Sequence, residues 1–156
     1  MKLTIENTEN LTSREFIELL SIELFNSDNN YLLTKPQVQD IPEYFYISAY
    51  LLEFDTEFQM QGLLTTLTNF TAYNFMNTLN SCRKINNIEL TECLEGIFEC
   101  LQKYDLTPVK FRENWIEPSQ ETYLFEELRA FDKKLWKLLP KLWEDLENYL
   151  KEVRKK

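Results

Sequence analysis

The chain has no histidine among its 156 residues. Ser-His-Asp and Cys-His nucleophilic catalysis are therefore excluded, as are zinc and di-iron sites that need an imidazole. Glycine is almost as scarce, with only Gly62 and Gly96. An all-β protein needs glycine-rich turns, and a nucleotide-binding α/β fold needs glycine at its phosphate loop. The shortage argues against both and for helices. The three cysteines, Cys82, Cys93 and Cys100, form no CxxC pair. The N-terminus, Met-Lys-Leu-Thr-Ile-Glu-Asn, shows neither a long apolar run nor a small-residue cleavage site. An odd cysteine count without a visible export signal leads to the expectation of free thiols in a reducing cytoplasm. Cys93 and Cys100 share one helix face about 10 Å apart, too far for a bridge, and all three read as small buried hydrophobes. No stretch reaches the roughly 18 consecutive apolar residues of a membrane span.

Positive charge is missing from one long stretch. No Lys or Arg occurs between Lys35 and Arg83, whereas Asp40, Glu43, Glu53, Asp55 and Glu57 all fall there. Residues 1–102 carry 15 acidic and 5 basic side chains, and residues 103–156 carry 11 and 12. The net charge of −9 is thus lodged in the first two thirds of the chain. A field of one sign repels nucleic acid and steers basic partners toward itself.

What is present in quantity is core material. Apolar residues make up 44% of the chain and aromatic residues 14%, ample for one domain spanning residues 1–156. Thr12 and Glu15 form a capping box, with Leu11 and Phe16 as its hydrophobic staple, and Phe16, Leu19, Leu20 and Leu24 continue at helical spacing. Tyr31 to Asp40 reads as a connection. Pro42 suits the first turn of a second helix through Tyr46, Ile47, Tyr50, Leu51 and Phe54, apolar on more than one side and therefore central. Glu53 to Asn69 reads as an irregular corner broken near Gly62. A third helix runs from Phe70 to Cys82 with Ala72, Phe75, Met76 and Leu79 inward. Glu89 to Tyr104 is a fourth helix, with an acidic ridge of Glu92, Glu95 and Glu99 opposite its apolar stripe. Gly96 within it implies close approach of a neighbouring helix. Residues 105–119 read as a loop, with Trp115 packed onto the domain. Two further helical stretches follow, interrupted by Pro140, and the basic tail Arg154-Lys155-Lys156 suits a helix C-terminus. The expected fold is a compact, single-domain, all-α bundle of five to seven helices.

Glu57-Phe58-Gln59-Met60-Gln61-Gly62-Leu63 and the residues up to Asn69 resemble the signature of a bacterial domain-of-unknown-function family whose best-known member is a DNA-mimic protein. That signature runs roughly Glu, an aliphatic residue, Asn-Asn-Gly-Gly-Phe, then Gln, two aromatics and Asn. Here Glu57 takes the leading acid, Phe58 the aliphatic, Gly62 the second Gly and Asn69 the closing Asn. Gln59, Met60 and Gln61 depart from the Asn-Asn-Gly core. Downstream, Ala72 and Leu79 fall in the following helix, and Ile85-Asn86-Asn87 stands at an Ile-Gly-Ala turn. Phe131-Asp132-Lys133-Lys134-Leu135-Trp136 is similar to a Leu-Asp-x-x-Phe-Tyr pattern, which places Asp132 and Trp136. The order of elements agrees over roughly residues 45–150. The resemblance implies an all-helical cytoplasmic protein, often dimeric, that works by contact.

The expected function is non-enzymatic binding of a basic-surfaced protein, with DNA mimicry as one form of it. Glu53, Asp55, Glu57, Glu92, Glu95 and Glu99 are the candidates for presenting charge. Duplex DNA carries a charge per strand about every 3.4 Å, whereas one helix face repeats a carboxylate about every 5.4 Å. Mimicry therefore needs two ridges side by side, or two copies of one. The alternatives are an immunity or antitoxin-type protein that neutralises a toxin, and a carboxylate-dependent metal-binding protein or enzyme built on Asp55/Glu57 or Glu92/Glu95. The bland reading is an acidic surface that only keeps the protein soluble. No catalytic residue, metal or cofactor is expected, nor direct contact with nucleic acid or membrane. Phe45, Tyr46, Tyr50 and Phe54 read as core rather than as a ligand groove. Trp136 and Trp143 suit either core or a dimer seam, and dimerisation stays open.

Overall fold

The computed structural model describes residues 1–155; Lys156, the last residue of the basic tail, lies outside them. The chain is all-α, and no strand occurs among the described residues. In order it forms α1 (Ile5–Thr8), α2 (Ser13–Glu23), α3 (Tyr31–Thr34), α4 (Glu43–Thr68), a 3-10 turn (Phe70–Asn74), α5 (Phe75–Lys84), α6 (Ile88–Gln102), α7 (Pro108–Arg112), α8 (Glu121–Leu138), a second 3-10 turn (Leu139–Lys141) and α9 (Leu142–Arg154). The bundle proper is α2, α4, α5, α6, α8 and α9; α1, α3 and α7 are short turns of helix within or before connections. Tyr31–Asp40 and 105–119 therefore hold more helix than their turn residues suggest.

Helix α4 is the axis. Every residue from Phe45 to Phe54 is buried, so this stretch is covered on all sides. It packs on α2, α3, α5, α7, α8 and α9. A helix that is apolar all round can be stable only at the centre of a domain. Phe45, Tyr46, Tyr50 and Phe54 are core residues, as their helical spacing implies.

Local rules hold where they are strong. Thr12 accepts the Glu15 amide while the Glu15 carboxylate accepts the Thr12 amide, which closes the capping box. Pro140 interrupts the α8 pattern and is housed in the turn before α9. Gly96 faces Phe131 of α8 so closely that a Cβ on it would lie 2.6 Å from the ring. All three cysteines are free and buried.

Four details differ from expectation. The corner at 53–69 is regular helix except at one residue, Gly62. The helix expected from Phe70 begins at Phe75, because Phe70–Asn74 winds as 3-10 turn. Met76 is 42% exposed rather than inward, and Trp115 is 65% exposed, its indole N–H donating to Glu113 at 3.0 Å rather than packing onto the domain. Arg154 falls in the last turn of α9, as the basic tail implies, and also ties down α1 and the turn that follows it: its guanidinium donates to the carbonyls of Thr8, Leu11 and Thr12 and lies over the Phe16 ring.

Candidate functional site

Glu57, Gly62, Asn69, Asp132 and Trp136 come together at one corner. Gly62 has φ 78 and ψ −178, a conformation that only glycine adopts without strain. The break frees the amide of Leu63, which donates to Asp132 Oδ1 of α8 at 2.8 Å. The Asp132 carboxylate thus caps the short helical segment beyond Gly62 from 69 positions away. One turn along α8 from Asp132, Trp136 packs on Phe58 with ring centroids 4.7 Å apart. On the other flank Asn69 Nδ2 donates to Glu57 Oε2 at 2.8 Å, tying the end of α4 to its last full turn before the break. The Gly62 break with Asp132, and Trp136 on Phe58, hold α4 and α8 in register, while the Glu57–Asn69 bond braces α4 across its break.

The six candidate charge-presenting residues separate. Glu53 is 4% exposed, which corrects its placement as a surface charge. It accepts from Asn74 Nδ2 at 2.9 Å, and burial pushes its carboxyl above the ordinary range against the opposing bonds from Asn74 and Thr71. Asp55 is half-buried and accepts the Trp143 indole N–H at 3.1 Å and the Gln59 amide at 3.3 Å. Burial raises its carboxyl too. Glu57 is half-buried on the Asn69 amide. On α6, Glu95 is paired with Arg83 at 2.8 Å, while Glu92 and Glu99 are exposed and in no ion pair among the described residues.

The α4 and α6 sets do not merge into one surface. Helices α5 and α8 each pack against both α4 and α6, which themselves make at most marginal contact. Lys134 and Lys137 of α8 share a hollow with Glu89 and Glu92, so cations border the α6 ridge. Among the described residues no group of three Cys, Asp or Glu side chains is placed to hold a metal ion.

A feature absent from the sequence reading is a cleft of about 1180 Å³ beside α4. Its lining includes Leu33 and Pro36 from α3 and the chain after it, Tyr50, Glu53 and Glu57 from α4, Phe70, Tyr73 and Asn74 from the 3-10 turn, and Arg112 from α7. Asn74 bridges two walls, since its Nδ2 also donates to the Leu33 carbonyl at 2.9 Å. Phe70 is 74% exposed, and the Arg112 guanidinium lies 4.8 Å from its centroid and 5.0 Å from that of Tyr73. The available signal was two aromatics, Phe70 and Tyr73, at i, i+3 in a run of Asn and Thr too polar for a core face.

No helix among the described residues is long and apolar enough to cross a membrane. Comparison with curated proteins and with solved structures gave no match. A family model described as DMP19-like protein matches residues 39–153, from just before α4 to the last turn of α9 and so across the whole signature corner. The chain belongs to the DMP19-like protein family.

Proposed function

We propose that this protein works by contact, binding a partner with a basic surface through carboxylates of its acidic two thirds, and that the partner is a DNA-binding protein whose DNA-facing surface it occupies. Membership of the DMP19-like family supports a DNA-mimic-like role. The observation that carries the reading is the charge imbalance, 15 acidic against 5 basic side chains over residues 1–102. Of the six candidates, Glu92 and Glu99 are exposed and unpaired among the described residues, and Glu89 extends their ridge by one turn. With the α4 carboxylates on another part of the molecule, a second acidic ridge has to come from elsewhere, such as a second copy of the chain.

The test begins with capture of the partner from the native host. Association is then followed against salt concentration, with and without competing duplex DNA. Charge-steered binding slows steeply as salt rises. Reversing Glu92 and Glu99 to Lys together slows it about tenfold or more while leaving the unfolding midpoint nearly unchanged, because exposed charges contribute little to stability. An association rate indifferent to both salt and reversal rejects the reading, and a partner that DNA does not displace rejects its DNA-mimic form.

A further inference from the structure

We infer that the cleft between α3, α4 and the Phe70–Asn74 turn is a docking groove for an extended segment of the protein partner, which lays an apolar side chain against Phe70 and Tyr73 and points an arginine at Glu53 and Glu57. The inference rests on the proposed basic partner and adds where and how that partner is gripped.

The groove has two fixed carboxylates. Glu53 and Glu57 are one turn apart on α4 and so project from the same face. Each is held in place by a side-chain amide, Asn74 at 2.9 Å and Asn69 at 2.8 Å. Neither is in an ion pair among the described residues, although burying a carboxylate without a counter-charge is costly. A guanidinium has five N–H donors in a planar fork and can serve two carboxylates at once; an ammonium cannot match that geometry. The groove's own cations do not take this place. Arg112 is laid over the Phe70 and Tyr73 rings, and Lys35 is an exposed side chain in no ion pair among the described residues. An acidic segment would have to lie over both fixed carboxylates, which makes it the wrong occupant.

The walls suit a peptide. Phe70 is largely exposed and Tyr73 and Phe25 about half so, all three lining the cleft. Exposed aromatics together with an arginine are the composition of interface hot spots. Gln37, Asn30 and Asn77 add side-chain amides, which both donate and accept and so match peptide groups. A volume of about 1180 Å³ exceeds what one side chain fills and is ample for two or three residues.

The experiment uses the isotope-labelled full chain and three blocked dipeptides: N-acetyl-Phe-Arg-amide, its neutral citrulline analogue, and N-acetyl-Phe-Glu-amide. The arginine probe is expected to shift the Asn69 and Asn74 side-chain amide signals saturably, with the citrulline probe at least about fivefold weaker. Glu57→Gln keeps an acceptor for Asn69 and is expected to abolish that preference, and Phe70→Ala, at an exposed position, to weaken both probes. Absence of saturable shifts, or a glutamate probe as effective as the arginine one, overturns the groove. A captured partner whose salt-dependent binding survives E57Q and F70A overturns the groove alone and leaves the proposed function standing.

Discussion

Asp132 Oδ1 sits 3.0 Å from the point where a Cβ on Gly62 would be, and it accepts the amide of the very next residue at 2.8 Å. One oxygen therefore imposes two conditions on the α4 corner. The chain must break there to expose an amide, and the residue at the break must lack a side chain. The conformation of Gly62 meets both, and Thr66 closes the corner from within by donating its hydroxyl to the Gly62 carbonyl at 2.8 Å.

Gly62→Ala is accordingly expected to destabilise the protein by about 2–4 kcal/mol, from backbone strain together with displacement of the Asp132 carboxylate. Asp132→Ala alone should cost about 1–2 kcal/mol, the usual loss for a helix cap. The double variant should cost less than the sum, because removing the carboxylate makes room for the added methyl. Urea unfolding of the four proteins measures this, and strict additivity would contradict the contact.

Glu53 supplies a pH signature. Burial raises its folded-state pKa above the ordinary 4.5, so the folded chain holds that proton more tightly than the unfolded one. Its contribution to stability is greatest below pH 4.5 and falls as pH rises until the folded-state pKa is passed. Glu53→Gln keeps an acceptor for the Asn74 amide and removes the charge. The variant should match wild type in acid and exceed it at pH 7, and urea unfolding at the two pH values reads the difference. Asp55 titrates with the same sign in both proteins and cancels. A variant less stable than wild type at pH 7 would mean that the carboxylate is stabilised by a cation after all.

The legible parts of this molecule are those set by short-range rules. The Thr12–Glu15 box, the Pro140 interruption and the all-round apolar α4 all follow from residues within a turn or two of one another. The signature residues were legible as a set, but their use was not, since Gly62 and Asp132 meet only after α8 has packed on α4. The same limit applies to the acidic residues. Charge counts do not distinguish Glu53, buried on Asn74, or Glu95, paired with Arg83, from the exposed Glu92. Phe70 is the converse case: an aromatic residue left in solvent because its segment winds as 3-10 turn and presents no continuous apolar face.

The cysteines should be silent. Burial pushes the Cys82 thiol up to about 12 and Cys93 to about 11, and Cys100 goes to about 12 by burial and by donating to Glu127 Oε2 at 3.0 Å. Since the thiolate is the reactive form, a disulfide reagent at pH 8 should label none in the folded protein and all three in denaturant. The linkage has a definite sign. The unfolded chain ionises near 9.0 while the folded one does not, so stability falls as pH rises through that value. Rapid labelling of one thiol at pH 8 would show that its site opens without global unfolding.

Gly96 tests the opposite kind of glycine, one needed for space rather than for an unusual backbone angle. Alanine is better than glycine in a helix interior by about 1 kcal/mol. At this position, however, the methyl would lie 2.6 Å from Phe131 Cε1, and overpacking of that kind typically costs about 1–3 kcal/mol. The room for the ring to turn away is limited. The ring is partly buried against the core, and Lys134 Nζ lies 5.4 Å from its centroid. Gly96→Ala is therefore expected to lose about 1 kcal/mol net, with the steric cost exceeding the propensity gain. In a Phe131→Leu background, where the ring edge is gone, the same change should become neutral or stabilising. Thermal unfolding of the two singles and the double decides the matter: a Gly96→Ala variant that stabilises the chain with Phe131 still present would show that α6 and α8 separate easily, and that their close approach is not what holds this side of the bundle.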